Sequence, residues 1–132
     1  MLMSATIKSS FNQHEIEMQT NGAAKPMHIA ARSTGYGSSI SGGELLLLSL
    51  ATCFCNDLYR EAAKRNIAVE GVEVEVTGEF RAEGEPGFNF QYKARVISDA
   101  SQKEIDDLIT HTDSVLEIHN TLRKGLNINL IK

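Results

Sequence analysis

From Leu45 to Cys55 the chain is apolar with only Ser49 and Thr52 interposed, and on either side of this run the pattern becomes regular. The residues Ser41-Gly42-Gly43-Glu44 just before it fit a capping box, in which a serine and a glutamate three positions later satisfy each other's backbone N–H. A helix is therefore predicted from about Gly42 to Asn66, roughly 36 Å long at 1.5 Å per residue. Its first half is apolar on all sides and has to be enclosed. Its second half, Asp57 to Arg65, is amphipathic and should reach solvent.

The flanking segments alternate. His14-Glu15-Ile16-Glu17-Met18 has the period of two of a half-buried strand. Asn21-Gly22 signals a hairpin, and Met27 to Ala31 reads as the return strand, so the N-terminal third should be an antiparallel meander. Val69 to Phe80 places Val72, Val74 and Val76 on one face and Glu73, Glu75 and Thr77 on the other. After the turn Glu83-Gly84-Glu85-Pro86-Gly87, the residues Phe88, Phe90, Tyr92, Ala94 and Val96 give a partner strand with one buried face. Ser101-Gln102-Lys103-Glu104 is a second capping box, with Ile105, Leu108, Ile109 and Thr112 at helical spacing. Ser114-Val115-Leu116-Glu117 is a third, opening a short helix through Leu122 that stops near Gly125. Leu126, Ile128 and Leu130 then alternate with Asn127 and Asn129 as a last strand. The expected order is βββ-α-ββ-α-α-β, an α+β chain of antiparallel sheets around one long helix.

Bulk properties narrow the function. A chain of 132 residues is expected to be a single domain, 1–132. Its net charge of −4 gives no basic surface for nucleic acid. The apolar run is about a dozen residues, short of the ~20 that span a bilayer, and Met1 to Lys8 has no apolar leader core. No membrane association is expected. Two cysteines, Cys53 and Cys55, are too few for a disulfide framework. On a helix they point about 200° apart. Both read as reduced thiols of a cytoplasmic protein.

The Gly- and Ser-rich stretch from Ser33 to Gly43 is a loop leading into the helix. It is not a phosphate-binding loop, because no Gly-Lys-Ser/Thr follows. The four histidines His14, His28, His111 and His119 form no ligand pair at metal spacing, and a Cys-x-Cys pair on one helix serves tetrahedral zinc poorly. No metal and no cofactor are expected. Asp57, Glu61 and Lys64 read as a solvated helix face, and Asp106 and Asp107 as acids favourable to a helix start.

Gly43-Glu44-Leu45-Leu46-Leu47-Leu48-Ser49-Leu50-Ala51-Thr52-Cys53-Phe54 resembles the motif of the osmotically inducible protein C and organic hydroperoxide resistance (OsmC/Ohr) family: a Glu-Leu pair, a run of aliphatic and small residues, then cysteine. Val69-Glu70-Gly71-Val72-Glu73-Val74 is similar to that family's strand after the helix, and His119-Asn120-Thr121-Leu122 to the end of its second cysteine motif. The resemblance implies an intertwined homodimer with active sites at the subunit interface, and a peroxidatic cysteine, here Cys53, that attacks the peroxide O–O bond. It also marks departures. Leu116 stands where the family carries its resolving cysteine, the N-terminal arginine has no match, and the partner glutamate falls at Glu44 only as a variant of the motif.

Physical chemistry then sets two alternatives for Cys53. A peroxidatic thiol must ionise near neutral pH, yet an apolar surround raises its pKa, and a mid-helix position gains little from its own helix's N-terminus. Reactivity requires a cation, for which Arg32 is the candidate; Arg60, seven residues on, lies about 10 Å along the axis. Glu44, nine residues before Cys53, cannot meet it along a straight helix, and capping is its simpler role. The first functional expectation is an OsmC/Ohr-like peroxide reductase with catalytic Cys53, Glu44 and Arg32, reduced by an external thiol. The second is a non-catalytic dimer that binds a small apolar ligand in its interface cavity.

Overall fold

The computed structural model describes residues 1–132. The chain forms two compact units, Met1–Leu45 and Leu46–Lys132.

The first unit is the antiparallel sheet β1 (Met3–Ser10), β2 (Gln13–Thr20), β3 (Ala23–Met27), in that spatial order. The expected alternation in β2 is present: His14, Ile16 and Met18 are half-buried, and Gln13, Glu15 and Glu17 are exposed. Asn21 and Gly22 form the tight turn, with φ of 50° and 81°. Positive φ at both central positions is the requirement that selects Asn-Gly in such hairpins. Because that turn pairs Thr20 with Ala23, the return strand has to start at Ala23. It therefore ends at Met27, where the sequence pattern places its beginning, and Ala31 retains only an isolated bridge to Ser38. The loop that follows folds onto the first hairpin: Asn12 donates its N–H to Gly35 O, the Phe11 and Tyr36 rings lie 5.2 Å apart, and Ser38 Oγ is 3.1 Å from His14 Nε2.

Helix α1 spans Gly42–Lys64. The capping box at its start is formed in both directions, Glu44 N–H to Ser41 Oγ at 3.1 Å and Ser41 N–H to Glu44 Oε1 at 2.9 Å. In the second unit the helix is followed by the hairpin β4 (Gly71–Glu79) and β5 (Phe88–Ile97), then α2 (Gln102–Ser114) and α3 (Glu117–Lys124). Val72, Val74, Tyr92, Ala94 and Val96 on the inner face of the hairpin pack against Phe54, Leu58, Ala62, Leu108 and Leu116. At ~25 cal/mol per Å² of apolar surface removed from water, this cluster is the main source of stability in the unit. A bulge between Thr77 and Glu79 leaves Gly78 unpaired. A side chain there would start 2.8 Å from the Phe90 ring, so glycine permits the close approach.

Besides the return strand, three expectations are corrected. The first half of α1 is less enclosed than the second: Leu48 is 51% exposed, whereas Phe54 and Leu58 are fully buried. An all-round apolar segment presents more surface than one side of packing covers. The third capping box is not formed. Ser114 closes α2, α3 has Leu116 at its N-cap with no side-chain bond, and Leu116 is instead fully buried. Its place in the core decides the local geometry. Last, Leu126–Leu130 is not a strand, so the order observed is βββ-α-ββ-α-α. Leu126, Ile128 and Leu130 are all exposed, and no strand edge within the chain accepts them. The mixed α+β class with antiparallel sheets stands.

Candidate active site around Cys53

Cys53 lies on the face of α1 that turns toward the start of α3. Its sulfur is faced by the backbone N–H groups of Ile118 and Glu117, in the first turn of α3. These are donors with no partner inside their own helix, and they favour an anion. The Cys53 thiol therefore does meet a helix N-terminus, that of another helix, which its position in α1 could not reveal.

Two carboxyl groups complete the surround. Asp57 Oδ2 is 3.9 Å from Cys53 Sγ, and the ligating atoms of Cys53, Asp57 and Glu117 all lie within 4.8 Å of one another. Burial pushes the Cys53 thiol up; the Ile118 and Glu117 amides pull it down; the charges of Asp57 and Glu117 push it up again, and the balance lies above the ordinary thiol value. Asp57 is itself raised, first by burial and then by its hydrogen bond to Glu117, while the Glu117 backbone and that same bond hold Glu117 down. Of the two carboxyl groups, Asp57 is the one that holds a proton more readily.

Arg60 is committed to the carboxyl groups. Arg60 places Nη1 3.1 Å from Asp57 Oδ1 and 3.8 Å from Glu117 Oε1, and Nε 3.0 Å from Glu61 Oε1. Glu61 also receives Lys64 Nζ at 3.0 Å and has His111 Nε2 at 3.1 Å. The reading of Asp57 and Glu61 as a solvated face is thus corrected: both residues are buried, at 9% and 4% exposure, because α3 and α2 supply partners that lie far away in sequence. Spacing alone reveals the Glu61–Lys64 pair and misses the rest. Lys103 and Asp107 form an exposed pair on α2, with Nζ 2.7 Å from Oδ2.

The other two site candidates are engaged locally. Glu44 is held by Ser41, whose backbone N–H and hydroxyl lower its carboxyl pKa. Arg32 donates from Nε to Ser38 O at 3.0 Å, and its backbone is tied to Gly35 and Gly37 within the same loop. Both cysteines are free thiols, half-buried.

A second feature is not visible in the sequence. His119 is 5% exposed and neither ring nitrogen has a hydrogen-bond partner. Its ring stands edge-on to Tyr92 at 4.9 Å, and it lines a mostly apolar cavity of about 420 Å³ with Leu46, Leu50, Val76, Phe90 and Leu122. Spacing favours a surface or hydrogen-bonded histidine. Its neighbours on the hairpin and α1 are the reason it is neither. No helix is long and apolar enough to cross a membrane.

Leu116, at the position that the resemblance assigns to a second cysteine, is packed in the core at the start of α3. The family model of OsmC-like protein matches residues 35–131. The chain belongs to the OsmC-like family. Solved structures of this family share the fold. An OsmC-like protein from Mycoplasma pneumoniae is 18% identical with a TM-score of 0.63, over 91% of this chain and 87% of its own. An organic hydroperoxide resistance protein OsmC from Legionella pneumophila is 20% identical with a TM-score of 0.57, over 91% and 89%. A putative organic hydroperoxide resistance protein from Vibrio cholerae, with captopril bound in one of its active sites, is 18% identical with a TM-score of 0.59, over 93% and 85%. No match to a curated protein was found.

Proposed function

We propose that this OsmC-like protein is a one-cysteine, thiol-dependent reductase of organic hydroperoxides, acting in the cytoplasm as a homodimer. The observation that carries the reading is the seating of Cys53 against the N–H groups of Glu117 and Ile118, which support a thiolate and then a sulfenate. The Cys53 thiolate attacks the distal peroxide oxygen, the O–O bond breaks, and the sulfur becomes sulfenic acid. The alkoxide leaves and takes one proton to become an alcohol. Asp57, whose Oδ2 accepts from the Cys53 thiol at 3.9 Å, is the group placed to take the thiol proton and pass it on. With Leu116 in place of a resolving cysteine, an external thiol condenses with the sulfenic acid, releasing water, and a second thiol frees Cys53. Arg32, which leads into the loop before α1, enters as the candidate cation, and Glu44 as the carboxylate that matches a variant of the family motif.

The test is alkylation of Cys53 against pH, read by mass spectrometry to separate it from Cys55, with and without prior cumene hydroperoxide. An inflection below about 7.5, with peroxide blocking the reaction, is the expected result, and Arg32→Ala should raise that inflection. Slow alkylation with an inflection above about 8.5, unaffected by peroxide, sinks the enzyme.

One observation favours a second reading. The net push on the Cys53 thiol is upward, while a cavity exists that Cys53 does not line. On that reading the protein is a non-catalytic dimer that binds a small apolar ligand, and the slow alkylation above is its signature.

A further inference from the structure

The His119 imidazole poses a problem of satisfaction. A buried ring nitrogen without a partner costs on the order of 1–3 kcal/mol, and His119 has two. Native structures leave few such groups, and each calls for a cause. Here the residue lines a cavity of about 420 Å³, within the usual size of small-molecule sites, which combine apolar walls with a few convergent polar groups.

We infer that this cavity binds a small neutral amphiphile, an alcohol-like molecule whose hydrocarbon part lies against Leu46, Leu50, Phe90 and Leu122 and whose hydroxyl hydrogen-bonds His119. The inference deepens the ligand-binding reading above and rests on it. A neutral imidazole carries one donor and one acceptor, and a hydroxyl group can serve either, accepting from the N–H or donating to the bare nitrogen. Burial, and then the Arg123 charge, hold His119 below the ordinary histidine pKa, which keeps the ring neutral.

Arg123 and Tyr92, which also line the cavity, disfavour an anionic head. Arg123 Nη2 is 2.8 Å from Asp113 Oδ1, and its Nη1 is shared between Asp113 O and Asn120 Oδ1, both at 3.3 Å. The Tyr92 hydroxyl donates to the same Asp113 carboxylate. A ligand carboxylate would have to displace Asp113 from two partners, whereas a neutral hydroxyl leaves those pairs in place. Cys53 is not among the lining residues, so binding here requires no thiol chemistry.

The experiment is an NMR titration of the full-length protein with 2-phenylethanol and with propylbenzene, which replaces the hydroxyl by a methyl of similar size. Methyl signals of Leu46, Leu50 and Leu122 report the cavity, and the His119 ring ¹⁵N shifts report the hydrogen bond. The expected result is that both compounds move the methyls, and only the alcohol moves the His119 nitrogens. In His119→Phe the ratio of alcohol to hydrocarbon affinity should fall about fivefold. If that variant does not fold, the wild-type ¹⁵N shifts decide alone. Methyl shifts with unmoved ring nitrogens would overturn the role of His119 and leave an apolar ligand site. Unmoved methyls would overturn both the inference and the ligand-binding reading. Cavity methyls that respond to protein dilution and to neither compound would assign the surface to a second copy of the chain, and also overturn it.

Discussion

Cys53 and Asp57 stand one turn apart on α1, with Sγ 3.9 Å from Oδ2. An (i, i+4) pair on a helix shares one face, so the contact is fixed by the backbone. What makes it consequential is the burial of Asp57 and its link to Glu117. The site holds opposing influences on one sulfur: amides that favour the thiolate, and burial and two carboxyl groups that disfavour it.

Asp57→Asn should therefore lower the Cys53 pKa, since it removes a nearby negative charge and keeps the size of the side chain. Below the inflection, each unit of lowered pKa raises the thiolate fraction about tenfold, and alkylation at pH 7 should quicken several-fold. Peroxide turnover should not rise in step, because the same substitution removes the proton donor. A pH–rate profile superimposable on that of the wild type would show that the Asp57 charge does not reach the sulfur.

Leu116→Cys should create an internal resolving thiol. Leu116 is the N-cap of α3, directly before the two residues whose amides face Cys53, and it is packed in the core beside it. After one equivalent of cumene hydroperoxide the variant should lose two hydrogens in mass, as Cys53 and the introduced thiol join in a disulfide that dithiothreitol reverses. The substitution empties part of a fully buried leucine site and should cost roughly 2–4 kcal/mol, measured by urea denaturation. A sulfenic acid at Cys53 that persists while the introduced thiol stays free would contradict the geometry.

Acid should act through Glu61. Hydrogen bonds from Lys64 and Arg60, and then His111, hold its carboxyl at about 2 instead of 4.5. A depressed carboxylate contributes stability that is complete above its unfolded value and lost as pH falls through the folded one. The contribution should be full above pH 4.5 and fade between 4.5 and about 2. Glu61→Gln should lower the urea midpoint at pH 6, and the gap to the wild type should close toward pH 2. A gap of constant size would assign the loss to packing.

Thr112→Val should stabilise the protein. Thr112 is fully buried and its hydroxyl has no hydrogen-bond partner, so its desolvation goes uncompensated. Valine keeps the shape and removes the oxygen, for a gain of about 1 kcal/mol in thermal or urea unfolding. A loss of stability would reveal a partner for the hydroxyl.

Elements whose causes are local can be read from the chain directly. The strand alternation in β2, β4 and β5, the Asn21-Gly22 turn, the two capping boxes at Ser41 and Ser101 and the long helix through Cys53 all follow from backbone sterics, short-range hydrogen bonds and periodic burial. The motif around Cys53 is legible for the same reason, being one continuous segment, and it suffices to suggest the family that the match over residues 35–131 shows. Whatever depends on residues distant in the chain had to wait for the packed fold. Ser114 has the sequence of a cap and is not one, because Leu116 is drawn into the core. Leu126 to Leu130 has the alternation of a strand and is not one, because it pairs with neither sheet of the chain. Asp57 and Glu61 have the spacing of a solvated face and are buried, because Glu117 and His111 arrive from α3 and α2, far along the chain. The surround of Cys53 and the isolation of His119 belong to this second class. Charge and desolvation act through space, and only folding sets those distances.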